Sequence, residues 1–306
     1  YGSYYAFKND FAVMGGWEGK QTLGYKNIDK LKTMVDGVSF RCLRDLDVEK
    51  IEVPDHLVSL PQNQMDIYKD MKKKMVAVID DEGRAVSDEM IYTREVDVEA
   101  VTTHSAPIVL TKMLRMQQIA SGFLPIVEYD EEKKKETVVG YRDLVTPDKN
   151  AKLLKMMEII NSVYKDSKVV VWSRFIRELD WIQELLDASG ICGVRYDGSV
   201  SQRDRQANIT AFRKDNDVRV FYGTAAAAGT GTNLQVANVM IHVSNTFATE
   251  DFVQSLDRIH RRGQNRDCYY HQIIAAGTVD RYIADVIQSN RELSSAVMGD
   301  TLSDIL

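Results

Sequence analysis

The stretch KVVVWSRFIRELDWIQELLDA, residues 168–188, decides the fold. Its first half, KVVVWS, is a continuous apolar run with no polar alternation, the pattern of a strand buried on both faces. Its second half, Arg174 to Ala188, carries apolar residues at helical spacing. A doubly buried strand followed at once by an amphipathic helix implies a parallel sheet covered on both sides.

The rhythm continues outward. Upstream, Lys152 to Val163 has helical spacing. Downstream, Ile191 to Tyr196 reads as a short strand, and Ser201 caps a helix running to about Arg213. Val218 to Tyr222 and Val239 to Val243 read as strands. Thr249 to Arg261 reads as a helix with Thr249 as N-cap and Glu250 and Asp251 in its first turn, where acidic side chains suit the dipole. Tyr269 to Ala275 is the last strand, and Thr278 caps a last long helix. The expected class is α/β, a parallel sheet with helices on both faces, over residues 150–306.

Residues 1–149 lack that rhythm. Helical patches occur at Ile28 to Val35, Gln62 to Val78 and Pro107 to Ala120. FLPIVEYDEEKKKETVVGYR, residues 123–142, places two apolar runs about a charged turn, which predicts a β-hairpin. The expectation is a mainly helical region preceding the α/β unit.

Bulk properties narrow the class. The 306 residues are 44% hydrophobic and 27% charged, with a formal net charge of −6. That is enough for a sizeable core in two folding units, and it excludes an all-over polycation. Any nucleic-acid contact must come from a local patch. Cys42, Cys192 and Cys268 are far apart and show no metal spacing, which fits a reducing cytosol and no bound metal. No run of 18 apolar residues exists, so no membrane span is expected. The start, Tyr-Gly-Ser-Tyr-Tyr, reads as a piece of something longer.

Three constellations carry chemistry. TAAAAGTGTNL (Thr224 to Leu234) is a small-residue loop after a strand, where Gly229 and Gly231 let backbone approach a ligand. YDGSVSQRDRQ (Tyr196 to Gln206) turns at Asp197-Gly198 and opens a helix whose N–H groups could meet an anion. QSLDRIHRRGQ (Gln254 to Gln264) crowds Arg258, Arg261 and Arg262, which share a face if the segment is helical. Taken singly these read equally well as a packed turn, a capped helix and a solvated basic face.

Their order is more specific. With VVVWSRF, DGSVSQRDRQ, the G-x-G-x-N-L core and Q-x-x-x-R-x-x-R-x-G-Q, residues 150–290 resemble lobe 2 of the Swi/Snf-type DNA translocases of helicase superfamily two. Phe40 to Asp45, LVSLPQNQMDIYKDM and LTKMLRMQQIASG resemble that family's inter-lobe region, and its small bacterial and phage members most. Two places depart: Ala226 and Ala228 stand in the places where the family has a basic residue and two adjacent glycines before the core, and Phe247-Ala248-Thr249 replaces its tryptophan-asparagine-proline.

The resemblance implies a RecA-like lobe working with a lobe 1 that brings the phosphate loop and magnesium carboxylates. A search for those motifs meets only decoys. Gly15 to Gln21 has a GK without the following Ser or Thr, and Asp80-Asp81-Glu82 and Asp88-Glu89 read as surface charge. ATP and Mg2+ are thus expected to be bound mainly by lobe 1 of the same polypeptide, and the isolated chain to be inactive. Arg258 and Arg261 are implied as arginine fingers. Gly229, Gly231, Asn233 and Gln254 are implied in nucleotide binding and coupling, with Gln254 orienting the arginines. Ser173, Arg174, Gly198, Ser199 and Thr224 are implied as sequence-independent contacts to double-stranded DNA. Cytoplasmic localisation in a bacterial or phage-infected cell is the matching expectation. A strand-separating or annealing helicase, and a binding module that has lost its chemistry, stand as alternatives.

Overall fold

The computed structural model describes residues 2–15, 21–38, 46–80, 105–130, 135–162, 164–227 and 232–298. The N-terminal part comprises α1 (Tyr4–Phe11), a hairpin of β1 (Ala12–Gly15) and β2 (Gln21–Tyr25), α2 (Ile28–Asp36), two three-residue strands β3 (Lys50–Glu52) and β4 (His56–Val58), and helices α3 (Gln62–Asp80) and α4 (Ser105–Ser121). The expected second hairpin comes next, β5 (Phe123–Asp130) antiparallel to β6 (Lys135–Asp143). The charged residues at 131–134 lie outside the described residues.

The α/β unit is built of α5 (Ala151–Asn161), β7 (Val169–Trp172), α6 (Ile176–Ala188), β8 (Cys192–Tyr196), α7 (Gln202–Lys214), β9 (Val218–Gly223), β10 (Val239–His242), α8 (Thr249–Leu256), β11 (Cys268–Ala275) and α9 (Val279–Met298). The strands form one sheet in the order β3-β11-β10-β7-β9-β8, with β4 also on β11. Every pairing in it is parallel. β3 and β4 extend the sheet edge from the N-terminal region, a pairing the sequence did not signal.

The apolar run of β7 sits at the centre, fully buried. Its side chains alternate between two cores. Val170 and Trp172 pack with Phe212, Phe221, Leu256 and Ile283. Val169 and Val171 pack with Leu153, Leu179, Ile182 and Ile241. Each such buried side chain contributes about 1.5–3 kcal/mol. A charged residue in this run would lose that and add a desolvation cost.

Two features of the sheet position the functional residues. The chain winds from β7 out to β8 and β9, then crosses back over β7 to β10, which makes the β7/β10 boundary a topological switch point. In open α/β sheets, ligands collect outside the strands' carboxyl ends at such a point. The ends are in register: Trp172 lies opposite both His242 and Gly223, and Gly223 opposite Tyr196. At Gly223 a side chain is excluded, because a Cβ would stand 1.9 Å from the Tyr196 carbonyl oxygen.

One expected helix is corrected. The segment read as Thr249 to Arg261 is helical only to Leu256, and its N-cap is Ala248 rather than Thr249. The Thr249 hydroxyl instead accepts from Asn290 Nδ2 at 3.0 Å. Ser201 does cap α7, accepting from the Asp204 N–H at 3.1 Å. Thr278 accepts from the Asp280 N–H at 3.2 Å at the head of α9.

Candidate functional site

Residues 257–263 form successive turns after α8, so the three arginines do not share a helix face. Tertiary bonds capture the backbone there. The Arg258 N–H donates to Ser255 O at 3.0 Å, and the Arg258 carbonyl accepts from the Leu234 N–H at 3.0 Å. Gly263 adopts φ +95°, and a Cβ on it would meet Gln235 Nε2 at 2.8 Å. Arg258 is 9% exposed. Arg261 is half-buried, and among the described residues no hydrogen-bond or ion-pair partner holds its side chain. Arg262 is exposed.

The organiser of this turn is Gln264. Its amide Nε2 donates to the carbonyls of Ala237, Gln235 and Ile259 at 2.8, 3.0 and 3.2 Å. Its Oε1 accepts the N–H groups of Asn265 and Arg266 at 3.0 and 3.1 Å. One buried side chain thereby fastens the arginine turn to the tail of the glycine loop. Gln254 has no such role: its Nε2 donates to Glu250 Oε1, one turn earlier on α8, at 3.0 Å. The bonds to the arginine turn that were expected of Gln254 are made by Gln264, at the other end of the same motif. Asn233 Oδ1 accepts the Gln235 N–H at 3.2 Å and sets the bend from which Leu234 reaches Arg258. Gly229 and Gly231 lie outside the described residues, as does Ala228.

The other residues gather at the carboxyl edge. Ser173 is 2% exposed, and its hydroxyl donates to Glu178 Oε2 at 2.6 Å. Its N–H donates to Gly223 O at 3.0 Å. Both groups are spent inward, so the expected contact from Ser173 to DNA is corrected. Glu178 is fully buried beneath the switch point; Ser244 also donates to its Oε2, and among the described residues its Oε1 has no partner. A carboxylate on the inner stripe of α6 was the sequence signal for this bracket, and it was missed. Ser244 Oγ in turn accepts the Arg174 N–H at 2.8 Å. The Arg174 guanidinium donates to Gln117 Oε1 on α4 and lies over the Phe175 ring. Burial pushes its pKa down, while the nearby Glu178 acts the other way.

Ser199 is exposed but lies outside the helix it was expected to open. α7 begins only at Gln202. Ser199 stands before it in a turn folded onto the buried Asp197, with its N–H and hydroxyl donating to Asp197 Oδ1 at 2.6 and 2.5 Å. Arg195 donates to the other Asp197 oxygen and to Asp180. Burial alone would raise the Asp197 pKa, but the Ser199 and Arg195 bonds outweigh it and hold the carboxyl below its ordinary value. This leaves Gly198 exposed at the tip of the turn. Thr224 is half-buried at the end of β9, its N–H on Tyr196 O at 3.2 Å. Gly198, Ser199, Thr224 and half-buried Arg174 are therefore the expected phosphate contacts that remain open to solvent.

The arrangement can do two things. Fixed guanidinium groups can neutralise charge on a phosphoryl group brought to them. Backbone and hydroxyl groups at the carboxyl edge can hold phosphodiesters without reading sequence. Among the described residues no three His, Cys, Asp or Glu side chains are grouped to hold a metal ion. No helix among them is long and apolar enough to cross a membrane.

Residues 148–263 match the model of the helicase conserved C-terminal domain. The chain is 34% identical over 175 residues to the DNA repair protein RAD5 of Cryptococcus neoformans, covering 55% of this chain and 15% of that protein. It superposes on the C-terminal part of the Fun30 ATPase domain with a TM-score of 0.59 at 19% identity, over 82% of this chain and 97% of that one. It superposes on the Sulfolobus solfataricus SWI2/SNF2 ATPase core in complex with double-stranded DNA with a TM-score of 0.56 at 21% identity, over 100% of this chain and 58% of that one. The fold is that of a Swi2/Snf2-type C-terminal lobe. The chain spans less than a fifth of the length of the curated relatives it matches. Those relatives are fungal, so the bacterial or phage likeness finds no support.

Proposed function

We propose that this chain is the C-terminal half of an ATP-dependent double-stranded-DNA translocase. Residues 150–306 serve as its RecA-like lobe 2, and residues 1–149 as the inter-lobe region. The observation that carries the reading is the arginine turn fastened by Gln264 to the tail of the glycine loop. In this reading lobe 1 of the same polypeptide holds ATP and Mg2+. Lobe closure brings Arg258 and Arg261 to the nucleotide, where they neutralise charge on the transferring phosphoryl group. Arg261 has the freer guanidinium and is the more critical. Asn233, with Gly229 and Gly231, shapes the loop that couples nucleotide to DNA.

The carboxyl edge is the duplex grip. Gly198, Ser199, Thr224 and Arg174 meet phosphates, while Ser173 braces the edge from within. Because the contacts are to the backbone, affinity falls with salt and not with sequence. Opening and closing of the lobes moves this grip relative to that of lobe 1.

Phosphate release by the full-length polypeptide, measured with no DNA, single strands and duplex, tests the reading. Duplex-stimulated turnover with a silent 306-residue chain is the expected result. Best stimulation by single strands favours a strand-separating helicase. Silence on every DNA transfers suspicion to Ala226 and Ala228 and favours a binding module.

A further inference from the structure

The arginine turn is held from two sides, and only one of them belongs to the glycine-loop and arginine motifs. The second side is a short strap, residues 48–50, which leads into β3. Four contacts join it to the segment 257–268. Lys50 Nζ lies 3.2 Å from Asp257 Oδ1, the residue preceding Arg258. His260 Nε2 lies 2.9 Å from Val48 O, one residue before Arg261. The Glu49 N–H donates to Asp267 Oδ1 at 3.0 Å, and the Cys268 N–H donates to Glu49 O at 2.9 Å. The strap then continues as β3, parallel to β11, with Lys50 opposite Cys268. Beyond it, Glu52 accepts both terminal nitrogens of Arg291 on α9, and Asp55 accepts Arg281.

The geometry points to Lys50 and His260 as positioning residues for the arginine pair, with the strap 48–50 setting where Arg258 and Arg261 stand. The contacts interleave with the arginines: Asp257, Arg258, His260 and Arg261 alternate strap contact and functional side chain along the turn. This segment has no regular helix to stiffen it, so its placement depends on what it is tied to. Leu234 and Gln264 fix it toward the glycine loop. The strap fixes it toward the N-terminal region. A displacement of about 1 Å at a group that must meet a transferring phosphoryl can lower turnover by about a hundredfold. The tie also means that a movement of the inter-lobe region would be felt at the arginines through two bonds.

This inference rests on the proposed arginine role, so its test carries Arg261→Ala as a control. In the full-length polypeptide, Lys50→Met and the double variant Lys50→Met/His260→Ala are assayed for duplex-stimulated kcat, for the KM of ATP and for duplex Kd. The expected result is a kcat lower by about 10–100-fold with duplex Kd within about twofold. The swap Lys50→Asp/Asp257→Lys restores kcat to within about fivefold, which a general loss of stability would not allow. Amide exchange measured on the same variants shows faster exchange across 257–268, with β7 and β10 unchanged. Unaltered kcat in the double variant, beside a dead Arg261→Ala, overturns the strap. Unaltered kcat in Arg261→Ala overturns the functional reading and the strap with it.

Discussion

The Leu234 amide donates to the carbonyl of Arg258 at 3.0 Å, which joins the glycine loop to the arginine turn by backbone alone. Neither partner's side chain supplies an atom to the bond. What holds the two segments close enough to form it is Gln264, whose amide reaches three carbonyls, two of them on residues 235–237.

Gln264→Ala is therefore expected to cost stability as well as turnover. Each buried acceptor left without a donor costs about 1–3 kcal/mol. Partial relaxation leaves an expected loss of about 2–4 kcal/mol, readable as a shift of the urea midpoint. Gln264→Glu is worse, because carboxylate oxygens then face carbonyls. A midpoint unchanged in either variant contradicts the organising role.

Lys152 and Asp280 form an ion pair of 2.9 Å with side chains 0% and 6% exposed. Lys152→Met strands the Asp280 carboxylate, and an expected loss of about 3–5 kcal/mol results. Lys152→Met/Asp280→Leu removes both charges and recovers most of it. Thermal unfolding of the single and double variants decides the point; equal losses in the two would show that the charges are not the cause.

Stability is expected to fall on the acid side. Burial pushes the His242 imidazole down to about 3 and that of His271 to about 4, the latter helped by neighbouring His56. Both folded values lie below the unfolded value of about 6.5. The unfolded chain takes up protons first, so stability is full above pH 7 and declines between about pH 6.5 and 4. Each histidine contributes roughly 1.4 kcal/mol per pH unit there. Urea unfolding at pH 7, 6 and 5 measures the slope, and His242→Gln lowers it by about one group's share. A flat profile across that range rules the account out.

Ser173 and Arg174 are neighbours with opposite expected phenotypes. Ser173→Ala removes a donor from buried Glu178, costs about 1–3 kcal/mol and leaves duplex affinity within about twofold once folded. Arg174→Ala weakens duplex binding uniformly across sequences and makes the salt slope shallower by about one. Anisotropy titrations at several salt concentrations separate the two. A Ser173→Ala slope as shallow as that of Arg174→Ala would return the hydroxyl to the DNA.

The fold was legible where local pattern and burial coincide. The run KVVVWS could only be a central strand, and the apolar stretches of β8 to β11 were equally plain, as was the hairpin of β5 and β6. β3 and β4 were not legible, because three-residue strands carry no period and their pairing with β11 spans more than 200 residues. The end of α8 was misplaced because QSLDRIHRRGQ has good helical spacing; bonds from Leu234 and Gln264 override that preference. Arg258, Arg261 and Thr224 are proposed from motif, whereas Ser173 turns inward on Glu178, a partner that composition does not reveal.

The most direct measurement is the turnover number of the full-length polypeptide carrying Arg261→Ala, at saturating ATP and duplex, with nucleotide affinity measured alongside. The account predicts a kcat lower by about a thousandfold or more with ATP still bound, since the arginine acts on the transferring phosphoryl group rather than on capture of the nucleotide. A kcat within a fewfold of the unsubstituted polypeptide would contradict it.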